Sequence, residues 1–233
     1  MKLIFCYFIA ALMLQSSLSA QSVYKLTSKE KKNGWTLLFN GENTKGWTTT
    51  DGKPVPAGWA VKDGAITTVK DGKGGDIISV NEYANFDLYI DYKISPACNS
   101  GVKYFFTKYE KGGNLGMEFQ ILDNDLAEDN KKANHLSGSF YDVMAPTTLK
   151  PAINPPGEWN TMRIVAKEKK VEHWLNGIKI LEFIRGDKAF TDAVELSKFN
   201  KAMPAFGSID KGHILLQEHG GVVSFKNIKI KLL

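Results

Sequence analysis

The sequence predicts an all-β fold, a sandwich of two antiparallel sheets with one short surface helix, in a single domain over residues 34–233. Short apolar runs separated by turn residues follow one another from Trp35 to the C-terminal end, and this spacing is typical of sandwiches and barrels. Within the runs, apolar and polar residues alternate with a period of two, which indicates strands covered on one face. Asn-Gly and Asp-Gly pairs between neighbouring runs indicate tight hairpins.

Residues 1–20 have the pattern of a secretory signal peptide. Lys2 precedes an apolar stretch, and small residues close the segment, as cleavable signals do. The apolar stretch is too short to span a bilayer and no stop-transfer segment follows it, so no membrane insertion is expected. We therefore expect a periplasmic or secreted protein, in which residues 21–33 form a polar leader to the domain.

The charge of the chain argues against nucleic-acid binding. The 30 Lys and Arg residues outnumber the 25 Asp and Glu residues, giving a net charge of +5, but they are dispersed and form no basic stripe with stacking aromatic residues. A dispersed excess is typical of a solvated surface. Of the two cysteines only Cys98 lies outside the signal peptide, so no internal disulfide is expected. The sequence leaves the oligomeric state undecided.

The clearest strand is the segment FDLYIDYKI. Its apolar residues share one face of a strand because side chains alternate between the two faces; they are Phe86, Leu88, Ile90, Tyr92 and Ile94. The C-terminal segment SFKNIKIKLL alternates in the same way, with one slip at Asn227 that predicts a β-bulge. Both segments are expected to be half-buried strands.

Turn residues predict the hairpins. Asn176-Gly177 and Asp63-Gly64 each lie between two strand-like runs and suit a type I′ turn, which needs positive φ at both central residues. Asn40-Gly41 gives the same signal. His173 precedes the first of these turns and is interpreted as structural. The segment 187–202 has apolar residues at helical spacing among charges, which predicts the surface helix.

Glu118 and Gln120 are candidate site residues because they share the face of GMEFQIL that the core residues leave free. Two polar side chains two residues apart on a strand form a small hydrogen-bonding platform. Lys103 alternates with Val102 and Tyr104, so its side chain can point into the same cleft. The alternative for these charged groups is an ordinary solvated sheet face.

Two further groups of candidates lie near strand ends and loops. Gln217 and His219 share a parity in GHILLQEHG and are expected side by side at a glycine-rich strand end. His135 precedes GSFYDV, a loop that can bring His135, Tyr141 and Asp142 over the same face. The alternative is that Tyr141 packs against the core and Asp142 caps a turn.

Metal signals in the sequence are weak. Asp123 and Asp125 have the opening spacing of a calcium loop, but the glycine and the closing glutamate of that loop are missing. The sequence contains no HExxH motif, no paired cysteines and no G-x-S-x-G elbow. A divalent cation held by His and carboxylates stays open, with no ligands assigned, and no cofactor is certain.

A series of motifs, in order along nearly the whole domain, resembles one family. The motifs are LFNG…KGW, GWAVKDGAI, GGDIIS…YANFDLYIDYKIS, NSGVKYF, LGMEFQILD, GSFYDV, GEWNTMRI, VEHWLNG and GHILLQEHG…VSFKNIKIK. They are similar to the 3-keto-disaccharide hydrolase domain, which implies a concanavalin-like jelly roll. Members of that family more often carry Asp at the position of Glu218 and Arg at the position of Lys226.

The resemblance implies an enzyme that cleaves 3-keto-glycosides, with a small carbohydrate as its partner. A ketone at C3 acidifies the C2 proton and places the C1 leaving group β to it, so elimination needs a base and an enolate stabiliser. Glu118 or His135 is expected to be the base, and Lys103 or His219 the stabiliser. The residues assigned to substrate binding are Gln120, Gln217, Tyr141 and Asp142. Water addition after elimination makes the net reaction a hydrolysis.

Two other functions fit the same fold. A non-catalytic, lectin-like carbohydrate-binding module would stack sugars on aromatic residues such as Trp47, Trp59 and Trp174, although their positions favour core packing. A structural envelope domain would bind no small ligand. Sugar binding without cleavage of any keto-glycoside distinguishes the lectin hypothesis from the enzyme hypothesis.

Overall fold

A computed structural model describes residues 24–70, 73–109, 113–148, 153–202 and 206–233. The predicted signal peptide lies outside these ranges. Within them the chain forms two antiparallel sheets packed face to face, which confirms the predicted all-β class. In the described part, no helix is long and apolar enough to cross a membrane.

The larger sheet, sheet A, has eight strands. They are β1 (Trp35–Leu37), β3 (Trp59–Lys62), β4 (Ala65–Thr68), β6 (Phe86–Ile94), β9 (Asn160–Lys167), β10 (Lys170–Leu175), β11 (Ile178–Ile184) and β13 (Val223–Leu232). Their order is β11-β10-β9-β6-β13-β4-β3, and β1 also pairs with β13.

The smaller sheet, sheet B, has five strands and carries the polar candidates. They are β2 (Trp47–Thr49), β5 (Ile77–Tyr83), β7 (Asn99–Tyr109), β8 (Gly113–Leu122) and β12 (Gly212–Leu216). Their order is β2-β5-β12-β7-β8. The three strands β12, β7 and β8 therefore lie side by side at one edge of the sandwich.

The core fills the space between the two sheets. The predicted apolar face of β6 is buried as expected: Phe86, Leu88, Ile90 and Tyr92 are 0% exposed. Alternation places them inside because each shares a face with the next-but-one residue. Trp47 and Trp59 are also buried, and their indole N–H groups donate to the carbonyls of Leu38 and Gly75. Neither indole is available to stack on a sugar.

His173 joins the two sheets, which confirms its structural interpretation. It lies on β10 and is fully buried, and the hydroxyl of Tyr104 on β7 donates to Nε2 over 2.9 Å. Nδ1 donates to the Gly138 carbonyl over 3.0 Å. Burial lowers the pKa of His173 to about 4, because a charged imidazole is disfavoured away from water. The ring is therefore neutral at pH 7.

The turn predictions were confirmed at two of three places. Asn176-Gly177 and Asp63-Gly64 both have positive φ at each residue and join β10 to β11 and β3 to β4. Asn40-Gly41 joins no hairpin, because β1 pairs with β13 and β2 with β5. The Asn40 side chain instead accepts the N–H groups of the two residues after Gly41. The bulge at Asn227 is present, with φ of 49° and a register shift.

The helical segment 187–202 forms two short helices instead of one. Helix α2 (Lys188–Leu196) and helix α3 (Phe199–Ala202) are separated by Ser197 and Lys198. Ser197 has extended backbone angles, and its hydroxyl accepts the N–H of Phe199, so it ends one helix and caps the next. A further helix, α1 (Ser28–Lys32), lies in the predicted polar leader and begins with a Thr27–Glu30 capping box.

The outer edge of β8 is covered by residues 133–144, here called the covering segment. The N–H of Gly138 donates to the Gln120 carbonyl over 2.8 Å, and the N–H of Tyr141 donates to the Glu118 carbonyl over 3.1 Å. These bonds satisfy an edge that would otherwise be open. They also hold the covering segment against the strand that carries the candidate site.

Candidate functional site

A cleft lies over the outer face of sheet B, where β7, β8 and the end of β12 meet. It consists of two adjoining cavities, one of about 210 Å3 and one of about 720 Å3, which share Asn99, Tyr141 and His219. The smaller cavity contains Glu118 and Lys103. The larger one opens toward the loop that contains Glu128 and Asp129. The two cavities together are here called the cleft.

Glu118 lies at the floor of the smaller cavity, directly across the β7–β8 pair from Lys103. The Nζ of Lys103 is 3.7 Å from Glu118 Oε2, and the two side chains are only 14% and 8% exposed. Gly101 makes room for the carboxylate, because a Cβ at that position would overlap Glu118 Oε1. The missing Cβ at residue 101 therefore leaves the space that the Glu118 carboxylate occupies beside β7.

Gln120 continues the polar platform that the sequence predicted. Its side-chain amide is 1% exposed and lies 3.3 Å from the Asn99 side chain. In the orientation that satisfies the amide, its nitrogen donates to the Ser100 carbonyl over 3.0 Å and to Glu118 Oε1 over 3.2 Å. Gln120 therefore orients Glu118 from one side while Lys103 faces it from another.

The environment of Glu118 raises the pKa of its carboxyl group. Burial is the largest cause, since it disfavours the charged form. The cations Lys103 and Lys198 oppose this shift, and the carboxylate of Asp76 adds to it. A buried carboxyl group with a raised pKa in a cleft has the properties of a general base or acid.

His135 is buried beside the cleft, between two carboxylates. Its Nδ1 is 2.7 Å from Asp129 Oδ1, and its Nε2 is 2.7 Å from Asp142 Oδ1. The ring is therefore hydrogen-bonded at both nitrogens. The role of base predicted for His135 stays a prediction, but this geometry leaves no ring nitrogen directed toward the small cavity.

Tyr141 lies at the wall of the cleft, whereas Asp142 is buried behind it and accepts bonds from His135 and from the backbone N–H of Lys198. The Tyr141 hydroxyl donates to Asp129 Oδ2 over 2.8 Å, and its ring lines both cavities. Burial and the neighbouring carboxylate raise the pKa of the phenol. Burial alone would raise the pKa of Asp142, but the N–H of Lys198 and the ring of His135 lower it below its ordinary value.

Gln217 and His219 both line the smaller cavity, so the structure brings them together as expected. They lie just beyond the end of β12. The backbone N–H of Gln217 donates to the Gly101 carbonyl over 3.0 Å, which ties this end to β7. His219 is exposed and also borders the larger cavity.

Six of the eight predicted site residues therefore line the cleft, whereas His135 and Asp142 line neither cavity and lie behind its wall, bonded to Asp129 and to the backbone N–H of Lys198. The sequence profile of the 3-keto-α-glucoside-1,2-lyase-like domain matches residues 34–231. The chain belongs to this family. The resemblance expected from its motifs is confirmed.

The chain is also similar to a curated protein named 3-keto-disaccharide hydrolase from Bacteroides thetaiotaomicron. It is 35% identical to this chain over 189 residues, and the match covers 70% of this chain and 64% of the relative. The present chain therefore spans slightly less than two thirds of that relative's length.

Two solved structures from Parabacteroides distasonis ATCC 8503 share the fold of this lyase-like domain. Both are of candidate glycosyl hydrolases. The first is 34% identical, with a TM-score of 0.80, and the match covers 91% of this chain and all of that chain. The second is 28% identical, with a TM-score of 0.66, and covers 86% of this chain and all of that chain.

Glu218 and Lys226 are the two positions at which the motifs are expected to differ from the usual family residues, and they lie on different parts of the fold. Glu218 is next to His219, and its backbone N–H donates to Asp76 Oδ1 over 3.0 Å. Its carboxylate accepts the N–H of Gly220, which is a turn contact. Lys226 lies on β13 of sheet A, with its Nζ 3.9 Å from the centre of the Trp159 ring, and so on the other sheet from the cleft.

Asp76 is a charged neighbour of the cleft that the sequence did not predict. It precedes β5, and burial raises the pKa of its carboxyl group, while Lys103 and His219 act in the opposite direction. It also contributes to the raised pKa of Glu118. The segment GGDIIS was recognised as a family motif, but Asp76 is more than forty residues away from Glu118 in the chain, so no local pattern joined them.

Lys198 is the second residue that was missed, because the segment containing it reads as a solvated helix. The break between α2 and α3 places its side chain at the smaller cavity beside Phe199. Its Nζ lies 4.2 Å from the centre of the Tyr141 ring. The break residue Ser197 was the available signal, since serine favours caps over helix interiors.

The described residues contain no cluster of three or more His, Cys, Asp or Glu side chains arranged to hold a metal ion. Asp123, the candidate from the weak calcium pattern, accepts the backbone N–H groups of Ala97, Asp125 and Leu126. Its carboxylate therefore stabilises a turn. The ligands of a divalent cation stay unassigned.

Proposed function

We propose that this protein cleaves glycosides whose sugar carries a ketone at C3, by elimination of the C1 substituent followed by addition of water. The observation that carries the proposal is Glu118, a buried carboxylate with a raised pKa at the floor of the cleft and a lysine 3.7 Å away. Membership of the lyase-like family and the name of the Bacteroides relative support the same chemistry.

In the proposed reaction Glu118 is the base. Its carboxylate takes the C2 proton, and the electron pair of that C–H bond moves to form the C2–C3 double bond of an enolate. The enolate then collapses to the ketone, a double bond forms between C1 and C2, and the C1–oxygen bond breaks. Lys103 and His219 are the residues predicted to stabilise the charge that develops on the ketone oxygen.

The leaving group extends into the larger cavity. Tyr141 and His219 border both cavities, so they face the bond between the keto-sugar and its substituent. His219 is exposed at this junction, and an imidazole there is placed to protonate the departing oxygen. Addition of water across C1 and C2 then yields a 3-keto-sugar.

The test is cleavage of a 3-keto-disaccharide by the purified protein in D2O, followed by mass spectrometry of the released sugar. Elimination and rehydration place deuterium at C2, whereas direct hydrolysis leaves the original hydrogen. Since a ketone also exchanges this hydrogen slowly without a catalyst, 3-keto-sugar incubated alone sets the background. The parent disaccharide without the ketone should stay intact.

Glu118→Gln should lower kcat about 10²–10⁴-fold, the usual contribution of a general base. The matched control is Glu158→Gln, which removes an exposed carboxylate before β9 and should behave as wild type. Equal activity of Glu118→Gln and wild type would contradict the assignment of the base. Sugar binding without cleavage of any 3-keto-glycoside would favour the lectin-like alternative instead.

We also propose that the protein is exported. The support is the signal-peptide pattern of residues 1–20 and the polar composition of the leader that follows. N-terminal sequencing of protein recovered from the periplasm or medium should begin near Gln21. Recovery of a chain that starts at Met1 in the cytoplasm would contradict export.

A further inference from the structure

We propose that Lys198 contacts the substrate and stabilises the enolate oxygen at C3, and that His135 and Asp142 position it. This inference rests on the proposed 3-keto-glycoside chemistry. Lys198 lies outside the sequence motifs that predicted the cleft residues.

The position of Lys198 in the chain brings it to the cleft. It lies in the two-residue break between α2 and α3 and lines the same small cavity as Glu118. Its neighbours Ser197 and Phe199 are buried, at 9% and 8% exposed, so the backbone is anchored on both sides. Nothing in the local helix requires a lysine here, but the break directs this side chain to the cleft.

Lys198 forms no ion pair with another described residue. Its Nζ lies over the Tyr141 ring at 4.2 Å and near the Phe199 ring at 5.4 Å. Among the described residues, no carboxylate lies within the 4.0 Å of an ion pair from this Nζ. Lys103, by contrast, already faces Glu118 at 3.7 Å.

This difference matters because only interactions that strengthen in the transition state accelerate a reaction. A lysine that is paired with the base before reaction gains less from a new negative charge than one that is unpaired. When the C2 proton moves to Glu118, that carboxylate becomes neutral and one negative charge develops on the C3 oxygen. An unpaired ammonium group at the same cavity is placed to stabilise it.

A chain of hydrogen bonds holds the break between α2 and α3 in place. The backbone N–H of Lys198 donates to Asp142 Oδ2 over 2.7 Å. The other oxygen of Asp142 is 2.7 Å from His135 Nε2, and His135 Nδ1 is 2.7 Å from Asp129. We call Asp129, His135 and Asp142 the strut. It joins the loop after β8, the covering segment and the α2–α3 break.

The strut explains why His135 is buried with both ring nitrogens occupied. Asp129 also accepts the Tyr141 hydroxyl over 2.8 Å, so the same chain holds the ring over which Lys198 lies. His135 and Asp142 therefore act through Lys198 and Tyr141 as positioning residues. A catalytic role for His135 as base is not needed in this arrangement.

The experiment compares Lys198→Met, Lys198→Arg and the control Lys188→Met for cleavage of a 3-keto-disaccharide. Lys188 lies on α2, is 87% exposed and pairs with Asp192, so its loss removes the same charge away from the cleft. Lys198→Met should lower kcat roughly 10–100-fold with a much smaller change in KM, since it removes one stabiliser of an oxyanion. Lys198→Arg should recover part of the loss.

The outcomes separate this inference from the proposed function. If wild type cleaves the substrate and Lys198→Met is as active as Lys188→Met, the inference is wrong and the function stands. If wild type cleaves no 3-keto-glycoside, the function is wrong, and calorimetric titration with 3-keto-glucose then decides the role of Lys198. If Lys198→Met binds 3-keto-glucose more weakly than wild type does, and Lys188→Met binds it normally, the contact is supported. If Lys198→Met binds it as tightly as wild type, or if wild type does not bind it, the contact is wrong.

The positioning role is tested with His135→Phe, which keeps a ring beside Tyr141 but removes both bonds of the strut. The kcat of this variant should fall to about the same extent as that of Lys198→Met. The double variant should have about the kcat of the less active single variant, because both changes act through one group. Circular dichroism checks that it folds. If the two losses of kcat multiply in the double variant, the positioning role is wrong. If His135→Phe does not fold, Asp142→Asn takes its place, because Asn tolerates the positive φ of 60° at residue 142.

Discussion

Gly101 permits the position of Glu118, so Gly101→Ala should abolish most of the activity without unfolding the protein. An alanine Cβ would overlap Glu118 Oε1 and would lie 2.9 Å from the carboxyl carbon and 3.0 Å from Cγ. Ordinary contacts of a Cβ begin at 3.4 Å. The strand itself cannot move away, because Gly101 is paired with Gln120 on β8 and its carbonyl accepts the N–H of Gln217.

The size of the effect follows from the displacement. The carboxyl carbon has to move by about half an ångström to reach ordinary contact, and the overlapped oxygen by roughly 1 Å, a misplacement that can cost about 10²-fold in rate. The overpacking should cost about 1–3 kcal/mol of unfolding free energy. For a domain of this size that corresponds to a loss of roughly 2–12 °C in Tm.

The assay is kcat/KM for release of sugar from a 3-keto-disaccharide, with thermal melts on the same preparations. The control is Gly157→Ala, a glycine with φ of 93° and no atom within 4 Å of an added Cβ. Alanine there strains the backbone but lies outside the cleft, so it should lower Tm and leave kcat/KM unchanged. In the Glu118→Ala background, Gly101→Ala should cause little further loss. Full activity of the Gly101→Ala single variant would refute the reasoning.

Two further predictions concern pH. The pKa of His173 is about 4 in the folded protein and about 6.5 when unfolded, so the unfolded state takes up a proton first as pH falls. The free energy of unfolding should therefore fall by up to about 3 kcal/mol between pH 6.5 and pH 4. Urea titrations should show a smaller fall for His173→Leu, and an equal fall would contradict this prediction. Asp76 raises the pKa of Glu118, so Asp76→Asn should move the acid limb of the kcat/KM profile to lower pH, and an unmoved limb would rule out the coupling.

Local patterns predicted most of the fold because strand periodicity and turn chemistry are properties of neighbouring residues. The alternation in β6 placed Phe86 and Tyr92 inside correctly, since each side chain's face depends only on its parity. The Asn176-Gly177 turn was equally local. Asn40-Gly41 was wrong because a turn dipeptide cannot tell which strands pair, and β1 pairs with β13 from the other end of the chain.

The candidate site was predictable only in part, for the same reason. Glu118 and Gln120 were found because they share one strand face. The contacts of Lys103 with Glu118 follow from the register of β7 and β8, which the sequence does not state. Asp76 and Lys198 reach Glu118 from other segments, and no periodicity links them to it.

The charges around Glu118 come from separate parts of the chain, and this makes their effects separable. Lys198 lowers and Asp76 raises the pKa of Glu118, so removal of each side chain should move the acid limb of the pH profile in opposite directions. Lys198→Met shifts the limb to higher pH, and Asp76→Asn shifts it to lower pH. A structural defect would lower kcat/KM at every pH without moving the acid limb in opposite directions. Shifts of opposite sign in the two variants would therefore indicate that both residues act through the charge of Glu118.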